Sequence, residues 1–317
     1  MRRLWAAAVA LAVVFGVLGG LPATAAGKDY YRVVVVADPH LPYKGRKADA
    51  ARAAELTAAK DRLAADVNGW ADVDEVAVVG DVTADTGSEA EYAYAAGYFA
   101  RFVKPVRLVT GNHDYIYDDE PGPGGRHVRA GAEGRRAKLE RFKATFGLTE
   151  LYYTQTVGEY LLVFLAVDSL DSPYLAQLSD RQLAWLRAEL GKRPAAPTII
   201  FYHAPLAGTL TSYNKTVNTP DFVAQPEKAL REILAANPQV LLWVSGHTHT
   251  PATNPDFAAA VNVYGGRVTN IHNADADRRG IWTNSLYLYA DRVVVRTFDH
   301  RRGVWLEGLE RTFPLAR

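Results

Sequence analysis

Cysteine is absent from this chain, and methionine occurs once. Without thiols there is no disulfide framework, no zinc–thiolate site and no cysteine nucleophile, so any metal must be held by nitrogen and oxygen. Net charge is nearly absent too, at +1 over 317 residues. That balance gives no electrostatic reason to expect a nucleic-acid polymer as partner. Long apolar runs are confined to the first two dozen positions. Arg2 and Arg3 precede "LWAAAVALAVVFGVLGGL", and "PATAAG" offers an Ala-x-Ala site at Ala23 to Ala25. This is the layout of an export signal, expected over residues 1–26. The alternative is an N-terminal membrane anchor, because the run approaches the length of a span. Cleavage predicts a secreted or extracytoplasmic protein with no stable membrane insertion, its residues 27–317 forming one domain.

What remains is rich in short apolar runs. "YYRVVVVAD" (30–38), "DEVAVVGD" (74–81) and "VRLVTGNHD" (106–114) read as strands buried on both faces. Helical spacing separates them at 47–68 and 88–102, with Ser88 placed to cap the second helix. Strand, helix, strand, helix, strand is the order of a parallel sheet covered on both faces. Glycine and proline dominate 118–134, a loop, and a basic helix follows at 135–146; together 115–150 forms a lid-like insertion. A hairpin is expected over 151–169 around Gly158 and Glu159, and a helix over 179–192 capped by Ser179. Two more strands, 196–206 and 239–250, flank a helix at 226–237. After Pro251 only short strands and turns are expected, forming a second, mainly antiparallel sheet.

The strands at 30–38, 74–81, 106–114, 196–206 and 239–250 each end in groups that bind metals or move protons. They supply Asp38 and His40, Asp81, Asn112 and His113, His203, and His247 and His249, which include five of the eight histidines. Ligands of open α/β sheets gather at the carboxyl edge of the strands, so these side chains are expected to converge. Each short motif is weak on its own; the ordered set on the right kind of element is specific. His127, His272 and His300 are expected to be structural. Asp168 and Asp171 are expected to serve turns, and Asp118, Asp119 and Glu120 to be a solvated charge run.

The order Asp-x-His, Gly-Asp, Gly-Asn-His-Asp, His, Gly-His-x-His resembles the calcineurin-like metallophosphoesterase superfamily, over roughly residues 30–310. The resemblance implies an α/β fold, a four-layer αββα sandwich of two mixed sheets flanked by helices. It implies two divalent or trivalent ions, of manganese, iron or zinc. Asp38, His40 and His249 would bind one ion, Asn112, His203 and His247 the other, and Asp81 would bridge them. A hydroxide bridging the metals would attack the phosphorus, and His113 would stabilise the phosphoryl group or protonate the leaving alkoxide. Asp114 would orient its loop or His113, or cap a turn.

Departures from the family's branches narrow the class. Ala84 stands where protein serine/threonine phosphatases carry an aspartate and purple acid phosphatases a metal-binding tyrosine. His113 stands where lipid-A-pathway hydrolases usually carry arginine. The expected partner is therefore a small-molecule phosphoester, with a phosphodiester such as a cyclic nucleotide or glycerophosphodiester as the leading reading. The alternatives are a phosphomonoesterase of nucleotides or sugar phosphates, and a non-catalytic binding module on the same fold. Specificity is expected in 115–150, whose Arg and Lys are read as one solvated basic face of the helix, with a cationic lid steering an anionic substrate as the alternative, and in 207–225, where Tyr213, Asn214 and Lys215 could touch a leaving group.

Overall fold

The computed structural model describes residues 28–43, 49–211, 214–276 and 280–315. The expected signal segment, the first residues of the expected helix at 47–68, and Tyr213 lie outside these. Among the described residues no helix is long and apolar enough to cross a membrane.

In chain order the elements are β1 (Tyr30–Val36), α1 (Ala50–Gly69), β2 (Glu75–Val79), α2 (Glu89–Phe99), β3 (Val106–Val109) and α3 (Ala132–Phe146). The hairpin β4 (Tyr153–Val157) and β5 (Tyr160–Phe164) follows, then α4 (Asp180–Lys192), β6 (Thr198–Phe201), α5 (Glu227–Ala236) and β7 (Val240–Ser245). The chain ends with β8 (Val263–Tyr264), β9 (Val268–His272), β10 (Trp282–Tyr289), β11 (Arg292–Asp299), β12 (Val304–Trp305) and β13 (Arg311–Pro314). Ser88 caps α2 in a reciprocal box with Glu91, and Ser179 caps α4, both as the sequence predicts. Gly158 turns the β4–β5 hairpin at a φ of 56°.

Two mixed sheets pack face to face. One runs β12-β11-β10-β1-β2-β3, with β13 also on β11; the other runs β4-β5-β6-β7-β9-β8. Alternation along each strand builds the layers. Val33, Val35, Ala77 and Val79 point inward against Leu162, Phe164, Phe201 and Val244 of the facing sheet. Their neighbours Val34, Val36, Val76 and Val78 point outward onto Leu63 and Val67 of α1 and Tyr92 and Phe99 of α2. On the far side Val163, Ile200 and Trp243 meet Leu186 of α4 and Ile233 of α5. The result is helices, sheet, sheet, helices.

Two expectations need correction. The last strands do not form a sheet of their own. β10 pairs antiparallel with β1 and completes the first sheet, while β9 runs parallel to β7 in the second. A free β1 edge would leave a row of buried backbone groups unpaired, and β10 supplies their partners. The first sheet therefore has helices on one face and the second sheet on the other. The strands also stop short of the expected ends: β2 at Val79, β3 at Val109, β6 at Phe201 and β7 at Ser245. The polar residues beyond them belong to loops at one common edge.

Candidate metal centre

The loops leaving β1, β2, β3, β6 and β7 meet at that edge, and their polar side chains face one another. Asp38, His40, Asp81 and His249 place ligand atoms within 4.8 Å of each other, and so do Asp81, His203 and His247. Asp81 belongs to both groups, as a bridging carboxylate must. Asn112 joins the second group, with its Oδ1 3.1 Å from His203 Nε2. All but His249 among these are buried.

The backbone bends unusually to achieve this. Asp38, His40, Asp81, His247 and His249 all sit at positive φ, between 44° and 66°, and they are all the non-glycine residues at positive φ among those described. Such a conformation costs on the order of 1–3 kcal/mol per residue and persists where surrounding structure enforces it. It also ends the extended ladder, which is why β2 and β7 finish early. Two glycines make room. A Cβ on Gly111 would collide with Asp81, and one on Gly246 with Asp38 Oδ2.

Three of the rings are oriented by a bond on the far side. His203 Nδ1 donates to the Val79 carbonyl at 3.0 Å, and His247 Nε2 to the Asp221 carbonyl at 2.9 Å. His249 Nδ1 lies 3.2 Å from Asp275 Oδ2. A neutral imidazole has one N–H to give, so the nitrogen facing the site presents a lone pair. Burial, and next the neighbouring His203, push His247 down to about 3, which keeps it neutral. Acceptor then faces acceptor: His203 Nε2 toward Asn112 Oδ1, and His249 Nε2 toward Asp38 Oδ1 at 3.2 Å. That arrangement is repulsive unless cations lie between the groups. The donor set therefore fits a pair of metal ions with nitrogen and oxygen ligands.

His113 stands beside this set. Its backbone N–H donates to Asp81 Oδ1 at 2.9 Å, and its Nδ1 donates to the Asp85 carbonyl at 2.8 Å. Its ring meets that of His40 edge-on at 5.3 Å. Asp114 turns away from the ring. Its carboxylate accepts from the backbone N–H groups of Gly111, at 2.7 Å, and Thr83, at 2.8 Å, so it ties the β3 loop to the β2 loop. Burial, and then the charge of Asp81, push its carboxyl up.

The calcineurin-like phosphoesterase profile matches residues 31–251, well over half of the chain. The chain belongs to the calcineurin-like phosphoesterase family. It is a metallophosphoesterase by family, and its fold is that of solved relatives at low identity. A dimetal phosphatase from Danio rerio superposes with a TM-score of 0.57 at 15% identity, covering 91% of this chain and 100% of that one. The purple acid phosphatase PPD1 from yellow lupin (Lupinus luteus) seeds gives 0.58 at 16%, covering 91% of this chain and 54% of the lupin protein. PhoD gives 0.53 at 13%, covering 88% and 68%. No curated protein matches the sequence.

Several residues of this phosphoesterase stand differently from the sequence reading. The basic residues of α3 do not all form a solvated face, although Arg136 is exposed. Arg135 and Lys138 are buried; Arg135 binds the carbonyls of Ala130 and Ser172, and Lys138 binds that of Thr86 and the carboxylate of Asp119. Asp119 stays exposed, as a solvated run requires, and also serves as the partner of Lys138. His272 and His300 are structural as expected, bonded to Thr209 and to Asp66 and Thr283. Asp168 accepts from the backbone and hydroxyl of Ser179. His127, expected to be structural, instead reaches the site, with its ring 5.6 Å from that of His113. Asp275 escaped sequence reasoning. It follows β9, which runs parallel to β7, so its loop opens at the same edge; that topology was the only available signal.

Proposed function

We propose that this metallophosphoesterase is exported and hydrolyses small-molecule phosphodiesters. The observation that carries the reading is the convergence of Asp38, His40, Asp81, His203, His247 and His249 into two groups sharing Asp81. Asp38, His40 and His249 would hold one ion and Asn112, His203 and His247 the other, of manganese, iron or zinc. When bound, such a pair stabilises the charge on the entering and leaving oxygens of an in-line displacement.

The chain's own residues do the rest. Asp81 gives one carboxylate to both positions and uses Oδ1 to fix the backbone of His113. The Asp85 carbonyl holds His113 Nδ1–H, so Nε2 is the atom turned to the ester. A proton carried there passes to the departing alkoxide, sparing it full negative charge. The charge around the site favours a diester. A monoester brings a second negative charge, yet Arg129, Arg135, Lys138 and Arg141 of the insertion are committed to carbonyls or carboxylates. The monoesterase reading keeps one support: the Danio rerio and lupin proteins of this fold are phosphatases.

The test compares bis(p-nitrophenyl) phosphate with p-nitrophenyl phosphate on manganese-loaded protein. A higher kcat/KM for the diester is expected; a preference for the monoester would decide for the second reading. Export rests on residues 1–26, and is tested by sequencing the N-terminus of protein recovered outside the cytoplasm. A mature chain starting near Gly27 is expected; one that keeps Met1 would refute cleavage.

A further inference from the structure

Three rings stand at the mouth of the metal centre without a role in the chemistry above. Tyr117 lies 5.3 Å from His113, centroid to centroid, and stacks with His127 at 4.7 Å and 27°. His127 comes from the glycine- and proline-rich loop, and its side chain is 32% exposed. Its Nε2 is 3.4 Å from Asp85 Oδ1, so the residue whose carbonyl orients His113 also holds this second imidazole. On the other side Phe222 stacks on His247 at 5.2 Å and 28°, and the neighbouring Asp221 carbonyl accepts from that same histidine. Arg129 joins the two sides, bonding the Pro173 carbonyl and lying 3.4 Å from Asp221 Oδ1. His127 and Phe222 lie outside the apolar cores described above, and each rests on a histidine of the site.

We propose that Tyr117 with His127 on one side, and Phe222 on the other, grip a nucleobase carried on the retained arm of the substrate's phosphodiester. The preferred diesters then carry a nucleoside on that arm rather than an alkyl chain or a glycerol, whatever their leaving group. Aromatic faces at the mouth bind such rings by stacking whichever base they carry. Asp85 holds His127 beside His113, and Arg129 ties the loop of His127 to Asp221 beside Phe222. The proposal rests on phosphoester hydrolysis at this site.

The experiment uses two diesters with one leaving group, thymidine 5′-(p-nitrophenyl phosphate) and ethyl p-nitrophenyl phosphate, on manganese-loaded full-length protein. Wild type is expected to favour the nucleoside ester in kcat/KM by roughly 5- to 100-fold, the range of a base–aromatic stack. His127→Ala and Phe222→Ala should each cut that ratio severalfold. His127→Phe and Phe222→Tyr, which keep a ring, should retain it. A wild-type ratio near one, or loss of the ratio in the ring-keeping variants as complete as in the alanine variants, would overturn the proposal while leaving hydrolysis in place. Release of p-nitrophenol from neither ester would overturn the hydrolytic reading itself, and this inference with it.

Discussion

Asp275 and His113 contribute to the site in opposite ways, and two substitutions separate them. Asp275 Oδ2 lies against His249 Nδ1, fixing the ring so that Nε2 faces Asp38. Losing such an outer partner typically weakens metal binding about 10- to 100-fold. Asp275→Asn should therefore lower affinity for one ion of the pair by that order in a metal titration, and leave the other near its wild-type value. Equal weakening of both would mean Asp275 supports the whole edge rather than His249. His113→Ala should keep both ions while turnover falls by about 10²–10⁴-fold, the usual scale of general acid catalysis. Wild-type turnover of an activated diester by that variant would remove His113 from the reaction. That these residues converge was readable from the chain because each follows an apolar run. Asp275, Asp85 and His127 were not, since they meet the site through loops whose path depends on which strand pairs with which.

At the level of elements, the strands and capped helices were legible because Val-rich runs and Ser caps act locally. Sheet membership was not, because whether β10 pairs with β1 as well as with its later neighbour β11 depends on which edge needs covering. The buried cations of α3 were misjudged for a related reason: Arg135 and Lys138 meet carbonyls distant in sequence. The glycines give a test of the strand-to-loop turns. Gly246→Ala would drive a methyl into Asp38, so it should abolish binding of at least one ion, measured by metal content of folded protein. Gly97 in α2 has nothing within 4 Å of a built Cβ. Gly97→Ala should therefore raise stability by about 0.4–1 kcal/mol in denaturant unfolding, with metal content unchanged. A stabilised Gly246→Ala that keeps both ions would show that the close approach to Asp38 is not needed.

Across the whole molecule the two ends of the sheets differ in kind. The candidate metal ligands occupy the carboxyl edge, while Glu75 lies buried at the start of β2 on the opposite edge, 3.4 Å from the Arg107 guanidinium. Burial pushes the Glu75 carboxyl above its ordinary 4.5, against the pull of Arg107. The folded state then holds that proton more tightly than the unfolded chain. Its stabilising share is complete below pH 4.5 and lost as pH rises through the folded value. Glu75→Gln should consequently be more stable than wild type at neutral pH, with the gain vanishing toward pH 4, by unfolding curves at both. A gain independent of pH would assign the effect to packing. The central claim concerns the other edge, and metal stoichiometry tests it most directly. Folded wild-type protein soaked in manganese, iron or zinc and freed of excess should carry two ions per chain, and Asp81→Ala close to none. One ion or none on the wild type, or two on Asp81→Ala, would contradict the shared-carboxylate centre.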